Sequence, residues 1–223
     1  MFKSGSTKLL KNLNQQHILN LVRINPGISA TYLKEKTNLQ MSTVLYTLKV
    51  LKGQGIVKEI GYGNSTANGG KPPVLWDIEA EYGFIIGMEL LSSEARLVII
   101  NFKGEIKYKN SFQIKLSNNP ILIANQLQSI VKKVQTKFEI SDDKILGLGI
   151  GIPGTIDNEN GIINYSYSFD FHDVDFCGIL SDYFKFNIEI DNDANVGVLG
   201  VKWLDKEDYM TRHILYLSIN KNF

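Results

Sequence analysis

A chain of 223 residues, 43% hydrophobic and 21% charged, has the composition of a globular protein with room for one large domain or two ordinary ones. Its one cysteine, Cys177, excludes an intrachain disulfide framework and a cysteine-built zinc site. No apolar run approaches the roughly 20 residues that cross a bilayer, and the first sixteen residues lack the pattern of a secretion signal. The expectation is a reduced, cytoplasmic protein with no membrane partner.

The net charge of +1 conceals an asymmetry. Residues 1–78 carry ten lysines and arginines against Glu35, Glu59 and Asp77, a net of +7 that leaves −6 for the remainder. A basic front on an acidic body points to a polyanion-binding module, unless it is only a solvated lysine surface. The chain order decides between them. "NLNQQHILNLVRINPG" sets Leu13, His17, Ile18, Leu21, Val22 and Ile24 at helical spacing, with His17 on the inner or boundary face, and Pro26-Gly27 ends the run. "SATYLKEKTNL" opens on an N-cap, Ser29, and turns Leu33 inward. "MSTVLYTLKVLKGQGIV" forms an apolar stripe from Val44, Leu48 and Leu51 with Thr47 at its flank. Its other side carries Ser42, Thr43, Tyr46 and Lys49, with Gln40 before it and Lys52 at its end. Two short helices joined by a tight turn, the second polar on one side, predict a helix-turn-helix whose second helix fits a major groove.

Residues 56–60 and 74–78 read as strands around a polar, Gly-rich tip. In that tip, Gly69 and Gly70 permit close backbone approach, and Lys71 stands before two stiffening prolines. A Gly-rich loop is often only a loop, but this one sits where a winged helix carries its wing, and Lys71 is suited to a narrow minor groove or to phosphates. Residues 1–78 are thus expected to form a winged helix-turn-helix that contacts double-stranded DNA through Gln40, Ser42, Thr43, Tyr46, Lys49, Lys52, Gly69, Gly70 and Lys71.

From residue 79 the pattern changes. "GFIIGMELLSSEARLVIINFKGEIKYKNSFQI" predicts three meandering strands turning at Ser92-Ser93 and Lys103-Gly104. An amphipathic helix follows, with Ser117 as its cap and Pro120 in its first turn. "KILGLGIGI" is an apolar strand ending at Pro153-Gly154, "DVDFCGILSDYF" a helix, "NIEID" a strand, "NVGVLGVKWL" a helix and "HILYLSI" a further strand. The predicted fold is α/β with an N-terminal α+β module: a winged helix followed, over 79–223, by one lobe of the actin-like, ribonuclease-H-like architecture. In such sheets ligands sit beyond the carboxyl ends of the strands. The Ser92 turn, the 151–154 turn and Asp191–Asp193 all fall there.

"GLGIGIPGTIDNENGII" followed by "IEIDNDANVGVLG", behind a Gly69-Gly70-Lys71-Pro72 wing, resembles the ROK family of bacterial sugar kinases and sugar-responsive repressors, whose repressor branch includes the xylose repressors. The resemblance runs from about Leu13 to Ile219. It implies a homodimeric repressor of sugar-utilisation genes, bound to a palindromic operator and released or recruited by a sugar or sugar derivative. It also implies that Asp193 occupies the position of the kinases' catalytic base, with Asn192 beside it on the sugar. Ser168 stands where the family carries a sugar-binding asparagine, and Val201 where it carries a glutamate.

The same resemblance argues against phosphoryl transfer. The kinases' Asp-x-Gly-Gly-Thr phosphate turn is replaced by Glu89-Leu90-Leu91-Ser92-Ser93, and Leu91 fills space that phosphate and close backbone approach require. Glu89 is then a strand-end carboxylate without a chemical role. Asp193 is expected to contact sugar or simply to sit at a helix N-terminus, with no catalytic residue and no cofactor. The family's second lobe, with its second phosphate loop and structural zinc, would lie beyond Phe223, so that lobe is expected to be missing. His17, His172, His213 and Cys177 occupy unrelated positions, and no metal site is expected among them. The competing readings are a sugar kinase with an added DNA-binding domain and a truncated, sugar-insensitive DNA-binding protein.

Overall fold

The structure, a computed structural model, describes residues 4–64 and 71–204. Gly69, Gly70, His213 and the strand expected at 213–219 lie outside the described residues. The chain divides into two compact units, Met1–Tyr82 and Gly83–Phe223.

In the first unit, α1 (Ser4–Ile24), α2 (Ala30–Thr37) and α3 (Met41–Gly53) pack on a three-stranded antiparallel sheet. Its strands are β1 (Ile28–Ser29), β2 (Val57–Tyr62) and β3 (Val74–Ile78), in the order β1-β3-β2. Ile18, Val22, Leu33, Val44 and Leu48 are wholly buried, the i, i+4 spacing of each helix turning one stripe inward. Leu13 and His17 depart from the expectation, since both are exposed. The inward stripe of α1 runs through Ile18 and Val22, and Leu13 and His17 project from another side of the helix. The Ser29 hydroxyl caps α2 by accepting the Tyr32 N–H at 3.2 Å. α2 ends on Asn38 in the left-handed conformation, φ 55°, which lets the chain turn tightly into α3. β1 was not legible in the sequence; its two residues pair with Leu75 and Trp76 of β3.

The second unit is built on a five-stranded sheet of order β11-β7-β4-β5-β6. β4 (Phe84–Leu90), β5 (Glu94–Asn101) and β6 (Ile106–Gln113) form the antiparallel meander. β7 (Ile145–Ile152) and β11 (Ile188–Asn192) run parallel to β4. α4 (Pro120–Phe138) buries Ile123, Ala124, Leu127, Ile130, Val131 and Val134 in the same apolar cluster as Met88, Leu97, Leu148, Ile150 and Ile190. Its cap is Asn119, whose side chain accepts the Ile121 N–H at 3.0 Å, rather than Ser117. Ser117 instead accepts the Asn119 N–H and orders the approach to the helix.

A second small antiparallel sheet was not predicted. β8 (Thr155–Asp157), β9 (Ile162–Ser166) and β10 (Phe171–Asp175) form it in the order β10-β9-β8. The helix expected from residue 173 is correspondingly short: α5 covers only Phe176–Ser181, because residues 173–175 belong to β10, with Val174 and Asp175 paired to Ile163 and Ile162, and the Asp175 carboxylate caps the helix by accepting the Gly178 N–H at 2.8 Å. α6 (Asp193–Leu204) follows β11 directly. This is the mixed α/β architecture expected, with a winged-helix unit first.

Candidate functional site

Two clusters of predicted residues are assembled, one in each unit. On α3, Val44, Thr47, Leu48 and Leu51 are buried, which leaves the opposite face to solvent. Ser42, Tyr46 and Lys49 are exposed on that face and Thr43 is half-buried beside them. Gln40 occupies the N-cap position but makes no side-chain cap bond, and its side chain is exposed. Lys52 is exposed too, but its ammonium is 2.8 Å from Glu59 Oε1 on β2, so it braces the helix against the sheet. The wing is closed at its base by the Gly63 N–H donating to the Pro73 carbonyl at 2.8 Å, and Lys71 is exposed two residues before that proline. On α2, Lys36 lies 5.4 Å from the Tyr32 ring centroid, and both side chains are exposed. One residue of the α3 face was passed over in the sequence. Leu45 is 49% exposed there, and its signal was its offset from the buried stripe.

In the second unit the site lies where β4, β7 and β11 end together. Glu89 pairs in register with Gly151, and Gly151 with Asp191, so three strand ends present one row. The neighbouring row, Met88, Ile150 and Ile190, faces the opposite side and is buried. A Cβ at Gly151 would stand 3.4 Å from the Asp193 Cα, so glycine lets α6 settle onto β7 and fixes where Asp193 begins its helix.

Asn192 and Asp193 divide the work at this corner. The Asn192 side-chain oxygen accepts the Ala194 N–H at 2.9 Å and the Asn195 N–H at 3.4 Å, the pattern of an N-cap. Its amide group donates to the Gly154 carbonyl at 2.8 Å, tying the helix start to the Pro153-Gly154 turn. Asp193 is half-buried in the first turn of α6, where the helix dipole favours a carboxylate. One Asp193 oxygen accepts the Ala194 N–H at 3.0 Å, and the other has no hydrogen-bond partner among the described residues. Asp191 accepts from the Asn195 amide at 2.9 Å and from Asn158 at 3.2 Å, joining the small sheet's first turn to the cluster. Nothing in the sequence had marked Asn158.

Ser168 lies half-buried in the turn between β9 and β10. Two residues earlier, the Ser166 hydroxyl donates to the Pro153 carbonyl at 2.6 Å. The Pro153-Gly154 turn therefore links the segment carrying Ser168 to Asn192 and Asp193. Gly154 itself has φ 151°, and a Cβ there would collide with the Tyr165 carbonyl.

The hairpin between β4 and β5 is closed on itself. The Leu91 N–H donates to the Glu94 carbonyl at 2.8 Å. Glu89 lies 3.2 Å from Arg96, which also bonds Glu94 at 2.8 Å and lowers the pKa of that carboxylate. Leu91 is not among the residues with positive φ, so its effect is the volume of its side chain and not backbone strain. His172 Nε2 lies 3.4 Å from Asp170, Cys177 sits under Gly161 with its thiol pKa raised chiefly by burial, and His17 is in the other unit. No group of three His, Cys, Asp or Glu among the described residues is placed to hold a metal. Among the same residues no helix is long and apolar enough to cross a membrane.

Residues 85–221 match the ROK family. A xylose repressor of Caldicellulosiruptor bescii is 31% identical over 96% of this chain and 53% of its own length. One from Bacillus subtilis is 27% identical over 95% of this chain and 54% of its own. The chain thus spans about half the length of the curated relatives it matches. Among solved structures, a ROK family transcriptional regulator described as a homologue of the E. coli MLC protein superposes with a TM-score of 0.70 at 15% identity, covering 87% of this chain and 49% of that one.

Proposed function

The chain belongs to the ROK family, and from that premise we propose that it is a sugar-responsive transcriptional repressor without kinase activity. The observation that carries this reading is α3, which buries one stripe and presents Ser42, Thr43, Tyr46 and Lys49 on the other face, in a unit whose β2–β3 hairpin forms a wing. Lysines and a hydroxyl-rich face at that position suit phosphate contact and base-edge hydrogen bonding. A two-fold dimer would place two such helices on a palindromic operator. The named repressors similar along nearly the whole chain support the same reading. Lys71, with Gly69 and Gly70, completes the proposed contact surface; Lys52, paired with Glu59, serves as a brace to it.

In the second unit, Asp193 with its unpartnered oxygen is the group proposed to accept a sugar hydroxyl, and Ser168 is proposed to face the same ligand. Asn192 spends its amide on Gly154 and its oxygen on the helix, so its part is to hold Asp193 in place. A sugar acts on DNA binding only through a difference in its affinity for the DNA-competent and incompetent arrangements. Phosphoryl transfer rests on a preorganised phosphate cradle, and the closed Leu91–Glu94 hairpin with its Glu89–Arg96 pair is a poor one. The test is titration of the full chain onto duplex DNA from its own promoter, with and without pentoses, hexoses and amino sugars. Sugar-modulated binding supports the reading. Binding indifferent to every sugar favours a constitutive DNA-binding protein, and ATP consumption abolished by Asp193→Asn would reinstate a kinase.

A further inference from the structure

The exposed face of α3 contains one side chain that hydrogen bonding does not explain. Residues 42, 45, 46 and 49 stand one turn apart and share a face, opposite the buried Val44, Thr47, Leu48 and Leu51. At the centre of that face Leu45 is 49% exposed, with Ser42 one turn before it and Lys49 one turn after. A single exposed leucine is ordinary on a protein surface. Its place here is not, because the N-terminal half of such a helix is the part that reaches base edges, and Leu45 is the fifth of thirteen residues.

The chemistry of the face narrows what Leu45 can read. α3 contains no arginine, asparagine or glutamine; the two glutamines that flank it, Gln40 and Gln54, stand at its N-cap and C-cap. The bidentate pairings that single out guanine by arginine, or adenine by an amide from within the helix, are therefore absent. In the major groove the only sequence-specific apolar feature is the C5-methyl group of thymine. We propose that Leu45 is a specificity-determining residue that packs on thymine methyls, so that each operator half-site carries thymine at the position facing it. Ser42 and Lys49 flank that contact and hold the register. The proposal rests on α3 entering the major groove, as the reading above requires.

Losing one methyl contact corresponds to about a fourfold loss of affinity per half-site. The probe is a library of duplexes with a randomised central segment, enriched in parallel on the full chain and on Leu45→Ala, both checked for folding by circular dichroism. Uracil, which lacks only the methyl group, then replaces individual thymines in the site enriched by the unaltered chain. The expected result is a thymine preference at symmetric positions that Leu45→Ala loses. Uracil at those positions should weaken the unaltered chain about fourfold each while leaving Leu45→Ala indifferent. Two different failures are distinguishable. Enrichment of a site whose thymines tolerate uracil, with the same preference in both proteins, overturns the role of Leu45 and leaves DNA binding standing. Enrichment of no sequence, with no salt-sensitive binding to any duplex, overturns the DNA-binding reading and this proposal with it. If Leu45→Ala does not fold, the uracil series on the unaltered chain decides alone.

Discussion

Replacing Gly154 by alanine should unhinge the corner that holds Asp193. At φ 151° the backbone is in a region that residues with a side chain rarely enter, and forcing one there costs about 1–3 kcal/mol. The new methyl would also meet the Tyr165 carbonyl and come within 3.1 Å of the Ser166 Cα, both on β9. Overpacking of this kind costs about another 1–3 kcal/mol. Because backbone cannot swing aside as a flexible side chain does, a loss of about 3 kcal/mol is expected, a large share of the roughly 5–15 kcal/mol that holds a domain together. Gly200 is the control. It lies in α6, where an added methyl would have nothing within 4 Å, so Gly200→Ala should stabilise by about 1 kcal/mol through helix propensity. Urea unfolding followed by Trp203 fluorescence in a Trp76→Phe background isolates the second unit, since these are the two tryptophans of the chain. Equal midpoints for Gly154→Ala and its parent would refute the crowding argument.

Asn192→Ala removes the cap of α6 and the bond to the Gly154 carbonyl; a loss of about 1–3 kcal/mol in the same unfolding experiment is expected. Asp193→Asn should leave the unfolding free energy within about 0.5 kcal/mol of its parent's yet abolish sugar binding measured by calorimetry, since its contact within the fold is to the neighbouring N–H. Asp157 is held below the ordinary aspartate value, first by the Asn160 side chain and then by the Asn160 N–H. A carboxylate depressed in the folded state stabilises above its unfolded pKa of about 3.9 and loses that contribution as pH falls through the lower folded value. Asp157→Asn should therefore blunt the acid sensitivity of the β8–β9 turn, read by hydrogen exchange between pH 5 and 3.

The meander was legible because β4 and β5 alternate over seven and eight residues, long enough for the period to declare itself. α4 was equally plain, its buried positions recurring at helical spacing over nineteen residues. The small sheet was not, because β8 has three residues and β10 mixes Phe171 and Val174 with exposed His172 and Asp173. Asn160-Gly161, with Gly161 at φ 72°, was the turn signal that could have revealed the β8–β9 hairpin. Asp170 and Asp173 take positive φ without being glycine, which no spacing rule announces. At the candidate site, the sequence placed Asn192 and Asp193 at a strand-to-helix corner but not which of them capped the helix. That depends on the Pro153-Gly154 turn, thirty-eight residues away in sequence from Asn192, coming back to bond it. On α3 the polar face was visible, and Leu45, offset by one residue from the buried stripe of Val44, Leu48 and Leu51, belongs to that face by helical spacing although a polar reading of it passes over a leucine.

The central claim, that the first unit grips DNA through α3 and the wing, is tested most directly by the salt dependence of binding. Anisotropy of labelled promoter duplex should give an affinity that falls linearly in log–log form, with a slope of about −0.9 per phosphate neutralised. Lys71→Ala should flatten that slope by about 1 per protomer while weakening all sequences alike. Affinity that is undetectable at low salt, or that does not change between about 50 and 200 mM salt, would contradict the account.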